Sequence, residues 1–329
     1  MNTIEIQLPE GKVILLKQAD GFNVKLESKT DNYIYKFECF TTYPIEIINK
    51  IIDIKGFCAL CDEIQRDQLH SYIQKPLETV IFSHFVIDDF KGKRILDFGC
   101  GAGNSTVIIG RTFKESEVIG VELSSKFLEL AEMRKQFYNL DNVSFRPSIN
   151  GTDLPENIGN FDYIVLNAVY EHLLPIERKI VFHKLWERLK SGGSLIINET
   201  PHRWFPVETH TTEGFPLINY LPDRMVYYFV KRFSKKARNL SWSELLRAGI
   251  RGGSVKELMR ILKIKDTSAS ILQPSKLGIR DRIELFDKSL ADDRLSRFSR
   301  KLLFLFLKLL KYTTGVILTP TLSFVIKKG

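Results

Sequence analysis

The sequence has few cysteines and no long apolar run. Four of its 329 residues are cysteine, too few for a disulfide-dense secreted fold. Its strongest apolar run, residues 302–307, is far shorter than the roughly 20 residues that cross a bilayer. The first residues alternate between polar and apolar and lack the apolar leader of a secreted protein. We therefore expect a cytoplasmic protein, free in solution or peripheral at the inner face of the membrane.

Disorder and fibrous designs are also excluded, because 44% of the residues are hydrophobic and 26% are charged, as in ordinary globular domains. The net charge of +9 is unevenly distributed. Residues 224–265 contain twelve basic and two acidic residues, and residues 297–329 contain seven basic and no acidic ones. The rest of the chain is therefore net acidic. Such asymmetry favours a polyanionic or membrane partner for the two basic segments.

The apolar pattern divides the chain into regions. Residues 1–43 read as short strands separated by turns, and residues 44–90 read as mostly helical. Between residues 93 and 200, strand-like runs alternate with helical ones, which predicts a parallel sheet covered by helices. The predicted strands are 94–98, 118–122, 143–145, 163–166 and 194–198. The run 317–326 predicts a closing strand that pairs antiparallel at the edge of this sheet.

The sharpest motif lies at residues 95–106, where an apolar strand enters a glycine turn just before a helix. Gly99, Gly101 and Gly103 stand at alternate positions, so the backbone can turn tightly and approach a ligand closely. A dinucleotide fingerprint needs a third glycine at the position that Asn104 occupies. Asp97, two residues before the first glycine, also favours another cofactor.

The Asp97–Gly103 pattern resembles motif I of class I S-adenosylmethionine-dependent methyltransferases. Four further segments resemble the same family in order and spacing: residues 118–124, 148–155, 161–172 and 189–195. The resemblance implies an α/β, Rossmann-like, seven-stranded methyltransferase sheet with helices on both faces. It divides the chain into a small N-terminal β-rich extension, 1–70, and a methyltransferase domain, 71–329. Within the domain we expect a lid insertion at 201–296, then an amphipathic helix and the closing strand.

The resemblance also implies a binding site for S-adenosylmethionine. Glu122 would accept both ribose hydroxyls, Leu123 would pack on the adenine, and the glycine turn would hold the methionine portion. Asp97 would orient either the turn or the amino group. Asn150 stands where the family usually has aspartate and would face the adenine amino group. The predicted cofactor residues are Asp97, Gly99, Gly101, Gly103, Glu122, Leu123, Asn150, Gly151 and Asn167.

Methyl transfer to a hydroxyl is helped by a general base, and histidine suits this role because its pKa is near neutrality. His172 follows the fourth strand, at the sheet edge where ligands of open α/β sheets bind; the alternative is that it caps a helix. His202, Glu208 and His210 lie in the long aromatic loop after the fifth strand. These three could also ligate a divalent metal, but spacing alone is too weak, and we assign no metal site.

Other interpretations carry less weight. Cys58 and Cys61, with Cys39 and His70, could bind zinc, but no second close pair of ligands exists. The basic segment 224–265 contains aromatic residues and could contact RNA. Enzymes that modify bases often show Asn-Pro-Pro-Tyr at the fourth strand, whereas residues 167–170 lack both prolines. We therefore rank a nucleic-acid acceptor below a sugar or a lipid.

The sequence predicts an S-adenosylmethionine-dependent methyltransferase similar to bacterial small-molecule and sugar methyltransferases. The preferred acceptor is a sugar or lipid-linked glycan that is methylated on oxygen. A quinone-type or other lipid ranks second, RNA third, and a non-enzymatic cofactor-binding protein last. Residues 297–312 predict an amphipathic helix with basic residues around an apolar run. Such a helix is either a peripheral membrane anchor or part of the core.

Overall fold

The structure is a computed structural model that describes residues 3–29, 34, 36–208, 210–212, 214–264, 266–290 and 297–329. Its N-terminal part is a four-stranded antiparallel sheet in the order β1-β2-β3-β4, followed by two helices. These elements are β1 (Thr3–Leu8), β2 (Gly11–Gln18), β3 (Gly21–Ser28), β4 (Glu38–Thr41), α1 (Ile45–Lys55) and α2 (Leu60–Gln68). Within the predicted extension, the strands thus end at Thr41 and the remainder is helical.

One face of the small sheet packs on α1 and α2. Val13 and Leu15 alternate with more exposed residues along β2, as expected of a strand with one buried face. They share a hydrophobic cluster with Ile48 and Ile51 of α1. Cys39 and Cys61 are also buried in this cluster. Among the described residues, the cysteines and His70 form no group with metal-ligand spacing.

The central sheet has seven strands, five of them parallel neighbours, with helices on both faces. The elements up to its fifth strand are α3 (Gln74–Phe82), β5 (Arg94–Phe98), α4 (Asn104–Thr112), β6 (Glu117–Glu122), α5 (Ser125–Phe137), β7 (Val143–Pro147), β8 (Phe161–Asn167), α6 (Pro175–Arg188) and β9 (Leu189–Pro201). Buried side chains on the two faces form two large hydrophobic clusters. All five predicted strands are present. Four of them consist mainly of buried residues, whereas β7, at the edge of the sheet, buries only Val143 fully.

The lid region after β9 contains two very short strands, three helices and an edge strand before a further helix. These are β10 (Val207–Glu208), β11 (Phe215–Pro216), α7 (Asp223–Phe233), α8 (Trp242–Arg247), α9 (Val255–Lys263), β12 (Ser270–Leu272) and α10 (Arg282–Ser289). Val226, Val230 and Leu245 belong to a separate small hydrophobic cluster. The region is therefore partly stabilised by a core of its own.

The chain ends with α11 (Arg297–Thr314) and β13 (Thr321–Lys327). β13 pairs antiparallel with β9, as predicted, but it is not the edge of the sheet, because β12 pairs with its other side. The full order is β12-β13-β9-β8-β5-β6-β7. Strand β12 has only three residues, which is too short a run to be predicted from the sequence.

Helix α11 lies on the surface with its apolar side outward. Its basic residues Arg300 and Lys308 pair with Asp287 and Glu284 of the α10 region, at 2.8 and 3.1 Å, and Lys311 pairs with Asp281. The outward stripe has exposures between 58 and 90%: Phe298, Leu302, Leu305, Leu309 and Tyr312. Among the described residues, no helix is long and apolar enough to cross a membrane.

A buried arginine connects the N-terminal helices to the central sheet. Arg134 of α5 is fully buried. Its guanidinium lies 3.1 Å from a carboxylate oxygen of Glu63 and 3.6 Å from one of Asp67, both in α2. It also donates a hydrogen bond to the carbonyl oxygen of Ala102 in the glycine turn, at 2.6 Å. One cation therefore holds two separate parts of the chain together.

Replacing Arg134 tests this connection. We expect Arg134→Met to lower the free energy of unfolding by about 3–5 kcal/mol, because Glu63 and Asp67 would stay buried without their cation. Chemical denaturation followed by circular dichroism measures the change. Arg146→Met, at an exposed arginine of β7, is the matched control and should leave the midpoint unchanged. Equal midpoints for the Arg134 variant and the wild type would contradict the proposed role.

Candidate active site

The glycine turn lies between β5 and α4. Gly99, Gly101 and Gly103 have φ angles of +72°, +55° and +84°, which L-residues rarely adopt. A Cβ on Gly99 would lie 2.8 Å from the side chain of Val169, whereas a Cβ on Gly101 would meet nothing within 4 Å. Gly101 thus faces open space into which a ligand fits. The close contact at Gly99 places the turn beside the chain that follows β8.

Asp97 lies beneath the turn and is 1% exposed. Its Oδ2 accepts hydrogen bonds from the hydroxyls of Ser105 and Thr106, both at 2.6 Å. Its Oδ1 has no partner among the described residues. Burial raises the pKa of the Asp97 carboxyl to about 6, and the nearby charge of Glu122 adds to the effect. Such an unpartnered buried oxygen fits a cationic donor on a ligand.

Glu122 lies at the carboxyl end of β6, next to the turn. One carboxylate oxygen accepts a hydrogen bond from the Gly101 amide at 3.0 Å, and the other accepts from the amides of Leu123 and Ser124. A carboxylate offers about four acceptor sites, so one remains for a ribose hydroxyl. The resemblance implied two hydroxyls, and a second one would have to share a site with a backbone amide. Leu123 is half exposed beside it.

The remaining predicted cofactor residues make local contacts. The Asn150 side-chain oxygen accepts from the amide and the hydroxyl of Thr152, both at 2.9 Å. Gly151 has open space around it. Asn167, at the end of β8, accepts a hydrogen bond from the Asn198 side chain at 2.7 Å. In this conformation the Asn150 side chain therefore stabilises its own turn, and its role toward adenine stays a prediction.

Beyond Asn167 the chain turns sharply and presents Glu171 and His172. Ala168 has a φ of +53°, a conformation of a kind that costs about 1–3 kcal/mol and is common at functional sites. His172 Nδ1 lies 2.6 Å from the carbonyl oxygen of Arg247. A carbonyl can only accept, so Nδ1 carries the proton and Nε2 has a free lone pair. That Nε2 is 3.8 Å from Oε1 of Glu171.

Glu171 is fully buried. One of its oxygens accepts from the Thr200 hydroxyl at 3.3 Å, and the other has no partner among the described residues. Burial raises the pKa of Glu171 to about 8. Burial has the opposite effect on His172, whose pKa it lowers. An acid and a base with pKa values displaced in opposite directions are typical of a reactive site.

His210 completes the cluster from the lid. Its ring centroid is 5.5 Å from that of His172. His210 remains exposed to solvent, and the side chains packed around its ring, His172 among them, lower its pKa. Gly249 lets the lid approach, because a Cβ there would lie 2.8 Å from the His210 ring and 3.1 Å from Glu171. The ligand atoms of Glu171, His172 and His210 lie within 4.8 Å of one another. Such a set could hold a divalent transition metal.

His172 and His210 line a cavity of about 540 Å³, here called the histidine cavity. Another wall comes from α1, α2 and the turn before α3, and it includes Lys55, Arg66 and Tyr72. The N-terminal region therefore contributes directly to the candidate active site. The sequence contained no signal for this wall, because these residues occur in an ordinary amphipathic helical pattern.

The structure does not bring His202 and Glu208 into the histidine cavity. His202 is buried against the segment before β13, with Nδ1 3.0 Å from the carbonyl oxygen of Thr319. Glu208 accepts hydrogen bonds from the amides of His210, Thr211 and Thr212 at 2.7–3.1 Å. Glu208 therefore shapes the turn that carries His210. Glu171, by contrast, was not predicted as a site residue, although it stands next to His172 in the sequence.

Comparison with known proteins agrees with this geometry. Residues 95–193 match the family model described as a methyltransferase domain. That range runs from the glycine turn to β9 and contains Glu122, Glu171 and His172. The chain carries a class I S-adenosylmethionine-dependent methyltransferase domain. The expected family and fold are confirmed.

Individual relatives are distant. A Rickettsia prowazekii protein of unknown function is 26% identical over 46% of this chain and 56% of its own length. The fatty-acid O-methyltransferase of Mycolicibacterium smegmatis is 27% identical, over 45% of this chain and 52% of its own. The mitochondrial ubiquinone biosynthesis O-methyltransferase of Candida albicans is 26% identical, over 59% and 56%. The chain therefore spans about half the length of these three relatives.

The cofactor of the methyltransferase domain is S-adenosylmethionine, and the residues present fit it. The open face of Gly101 admits a ligand next to the backbone, and the free oxygen of Asp97 suits an ammonium group. Glu122 has an acceptor site left for a ribose hydroxyl. These three residues, together with Leu123, would hold the cofactor at the carboxyl ends of β5 and β6.

The raised pKa of Asp97 predicts a pH dependence of cofactor binding. The ammonium group of S-adenosylhomocysteine favours the ionised carboxylate, which becomes protonated as the pH falls through about 6. We expect the dissociation constant to be constant above pH 7 and to rise by up to about tenfold per pH unit below 6. Titration calorimetry between pH 5 and 7.5 measures this effect.

Asp97→Asn is the control for that measurement, because it removes the titrating group and keeps the shape. Its dissociation constant should be higher than that of the wild type at pH 7.5 and should not change further down to pH 5.5. If the wild type shows no pH dependence, Asp97 orients only the turn and does not contact the amino group.

Proposed function

We propose that this protein is an enzyme that transfers the methyl group of S-adenosylmethionine to a hydroxyl oxygen of a sugar or lipid-linked glycan. The observation that carries the proposal is the cluster of Glu171, His172 and His210. Two members of this cluster, His172 and His210, line the histidine cavity, and residues 95–193 match a methyltransferase domain. Val169, three residues before His172, lies close to Gly99 of the glycine turn. The chain thus combines a place for the methyl donor with a group that can take the acceptor's proton.

His172 would be the proton acceptor. Its Nδ1–H is fixed by the Arg247 carbonyl, so its unprotonated Nε2 is available to the hydroxyl proton. Partial burial of the ring lowers its pKa, which favours the neutral form that can accept a proton. The bound cofactor supplies a methyl group activated by its sulfonium, so alignment of the acceptor accounts for much of the rate. His210 would position the same hydroxyl from the lid side.

The lining of the histidine cavity suits a polyhydroxylated acceptor. Its polar groups include the cations Lys55 and Arg66 and the carboxylates Asp62 and Glu63. Arg66 and Lys55 lie 3.7 Å from Glu63, so much of the charge is already balanced. Balanced donors and acceptors fit several hydroxyl groups better than one strong charge.

A quinone-type lipid is the second candidate acceptor. It is supported by the similarity to the ubiquinone biosynthesis enzyme over 59% of this chain. Incubation with radiolabelled S-adenosylmethionine and either lipid-linked glycan, a catechol-type quinone precursor or RNA separates the candidates. Label in the glycan supports the proposal. Label in the quinone precursor or in RNA overturns the acceptor class.

The catalytic assignment predicts the effect of removing His172. We expect His172→Ala to lower kcat by about 10²–10⁴-fold, because a general base contributes about that much. The affinity for S-adenosylhomocysteine should stay within about twofold, since the residue acts on the acceptor. Initial rates and titration calorimetry on the same sample measure the two quantities.

His70→Ala is the matched control, at an exposed histidine paired with Glu78, and should keep the wild-type rate. A His172→Ala enzyme with undiminished kcat would show that the proton is taken elsewhere. Loss of cofactor binding in that variant would instead make His172 a structural residue of the turn.

We further propose that α11 attaches the protein to the cytoplasmic face of a membrane. Three of its basic residues already pair with the α10 region, so the helix turns its apolar stripe outward. An outward stripe of Phe298, Leu302, Leu305, Leu309 and Tyr312 can enter the headgroup and acyl boundary of a bilayer. Attachment there would bring the enzyme to lipid-linked acceptors.

Charge substitutions in the stripe test this attachment. We expect Leu305→Asp/Leu309→Asp to reduce binding to phosphatidylglycerol-containing vesicles by at least about tenfold, because each substitution puts a carboxylate into the apolar boundary. Cosedimentation measures the bound fraction. Ile264→Asp changes an exposed apolar residue outside α11 and should bind like the wild type. No vesicle binding by the wild type would reject the anchor.

A further inference from the structure

A second cavity, of about 470 Å³, lies where the loop after β9 meets the first turns of three helices. We call it the arginine cavity. It is not the histidine cavity, and neither His172 nor His210 lines it. Its basic lining residues are Arg178, Arg203, Arg251, Lys256 and Arg260. Five cations around one cavity are an unusual concentration of charge for a site with no assigned role.

Two of these cations are neutralised by the two carboxylates of the lining. Arg178 lies 3.2 and 3.4 Å from the two oxygens of Glu257. Arg251 pairs with Asp223, with its Nε at 3.0 Å. In the part of the chain that the structure describes, Arg203, Lys256 and Arg260 have no carboxylate partner. The cavity therefore keeps an excess of three positive charges.

The environment of Arg203 shows that the excess positive charge of the cavity is electrostatically unfavourable. The Arg203 side chain is partly buried and stacks over the Trp204 ring with 4.7 Å to the centroid. In the part of the chain that the structure describes, this side chain donates only to the Asn219 carbonyl. Burial, and then repulsion by Arg251, lower its pKa to about 10. A guanidinium that has lost water and has a cation nearby is stabilised by an anion. Its planar fork matches phosphate oxygens particularly well.

The backbone adds positive potential at the same place. Pro175 is the first residue of α6, Asp223 is the first residue of α7, and Ser254 caps the start of α9. All three line the cavity. The start of each helix carries a partial positive charge, because the peptide dipoles align. Three helix starts around the unpaired cations favour an anion over a neutral ligand.

The arginine cavity and the histidine cavity are neighbours along the chain. Leu246 lines the first and Ala248 lines the second. Between them, Arg247 supplies the carbonyl that fixes His172. The segment 246–248 therefore contacts both cavities. An acceptor that extends along this segment would have its anionic end in the arginine cavity and its hydroxyl near His172.

We propose that the arginine cavity binds a phosphate or diphosphate ester and that this group belongs to the acceptor. The second part rests on the proposed function, because it assumes that the histidine cavity holds the acceptor's hydroxyl. The acceptor would then be a sugar that carries a phosphate or diphosphate ester. Arg203, Lys256 and Arg260 would hold the ester, and Trp204 would flank it.

Binding of inorganic pyrophosphate tests the site without any turnover. Titration calorimetry should show binding to the full-length wild type. Arg203→Gln should weaken it by about ten- to a hundredfold, as expected for a lost charge-assisted hydrogen bond. Lys256→Glu, at an exposed position, should weaken it similarly and should fold like the wild type. Arg232→Gln removes an exposed arginine that also lies over an aromatic ring, Phe233, and should bind like the wild type.

The same samples are also titrated with S-adenosylhomocysteine. Failure of the proposed phosphate site can then be distinguished from failure of the proposed methyltransferase function. Cofactor binding without pyrophosphate binding overturns the arginine cavity and leaves the methyltransferase proposal standing. Pyrophosphate binding that is equally strong in Arg203→Gln, Lys256→Glu and the wild type also overturns it. Absence of cofactor binding in the wild type overturns the proposed function.

Two further probes distinguish the source of the ester. A uridine diphosphate sugar represents a soluble ester, and vesicles that contain polyprenyl phosphate represent a lipid-linked one. Binding of either probe that Arg203→Gln weakens supports the proposal and assigns the source. Binding of pyrophosphate but of neither ester overturns the assignment to the acceptor and leaves a site for free phosphate.

Discussion

The candidate active site depends on one buried cation. Arg134 has no exposed surface, and it contacts the carboxylates of Glu63 and Asp67 and the carbonyl of Ala102. The carbonyl belongs to the glycine turn, and Glu63 also lines the histidine cavity. A buried charge is tolerated only when its partners are in place. The same interaction therefore fixes the position of the glycine turn and that of the N-terminal helices that line the histidine cavity.

Features encoded in short stretches of the sequence could be predicted, whereas contacts between distant parts of the chain could not. The five strands, the glycine turn and Glu122 follow from short apolar runs and one motif. Arg134 could not be recognised, because nothing in its helix distinguishes a buried arginine from an exposed one. The wall formed by Lys55 and Arg66 was missed for the same reason. His202 and Glu208 share the loop of His210 but lie outside the histidine cavity, since loop spacing does not fix side-chain direction.

The distribution of charge shows the same limit of sequence-based prediction. Two segments with an excess of basic residues predicted a polyanionic or membrane partner, but composition does not show which cations are already paired. In α11, Arg300, Lys308 and Lys311 contact acidic residues around α10, so the exposed feature is the apolar stripe. In the arginine cavity, two carboxylates pair with two of the five cations, and the other three have no carboxylate partner among the residues that the structure describes. Pairing, more than net charge, decides which charged and apolar groups stay available to a partner.

The candidate catalytic groups lie where the backbone conformation and the burial of a carboxyl are energetically unfavourable. Ala168 and Glu199, just beyond β8 and within β9, both have φ angles of +53°, and each costs about 1–3 kcal/mol in such a conformation. Glu171 adds the cost of a fully buried carboxyl with one unpartnered oxygen. These costs are offset by the two large hydrophobic clusters that cover the sheet. The rigid sheet thus allows a strained turn to persist just before Glu171 and His172, and Gly249 leaves room for the His210 ring beside Glu171.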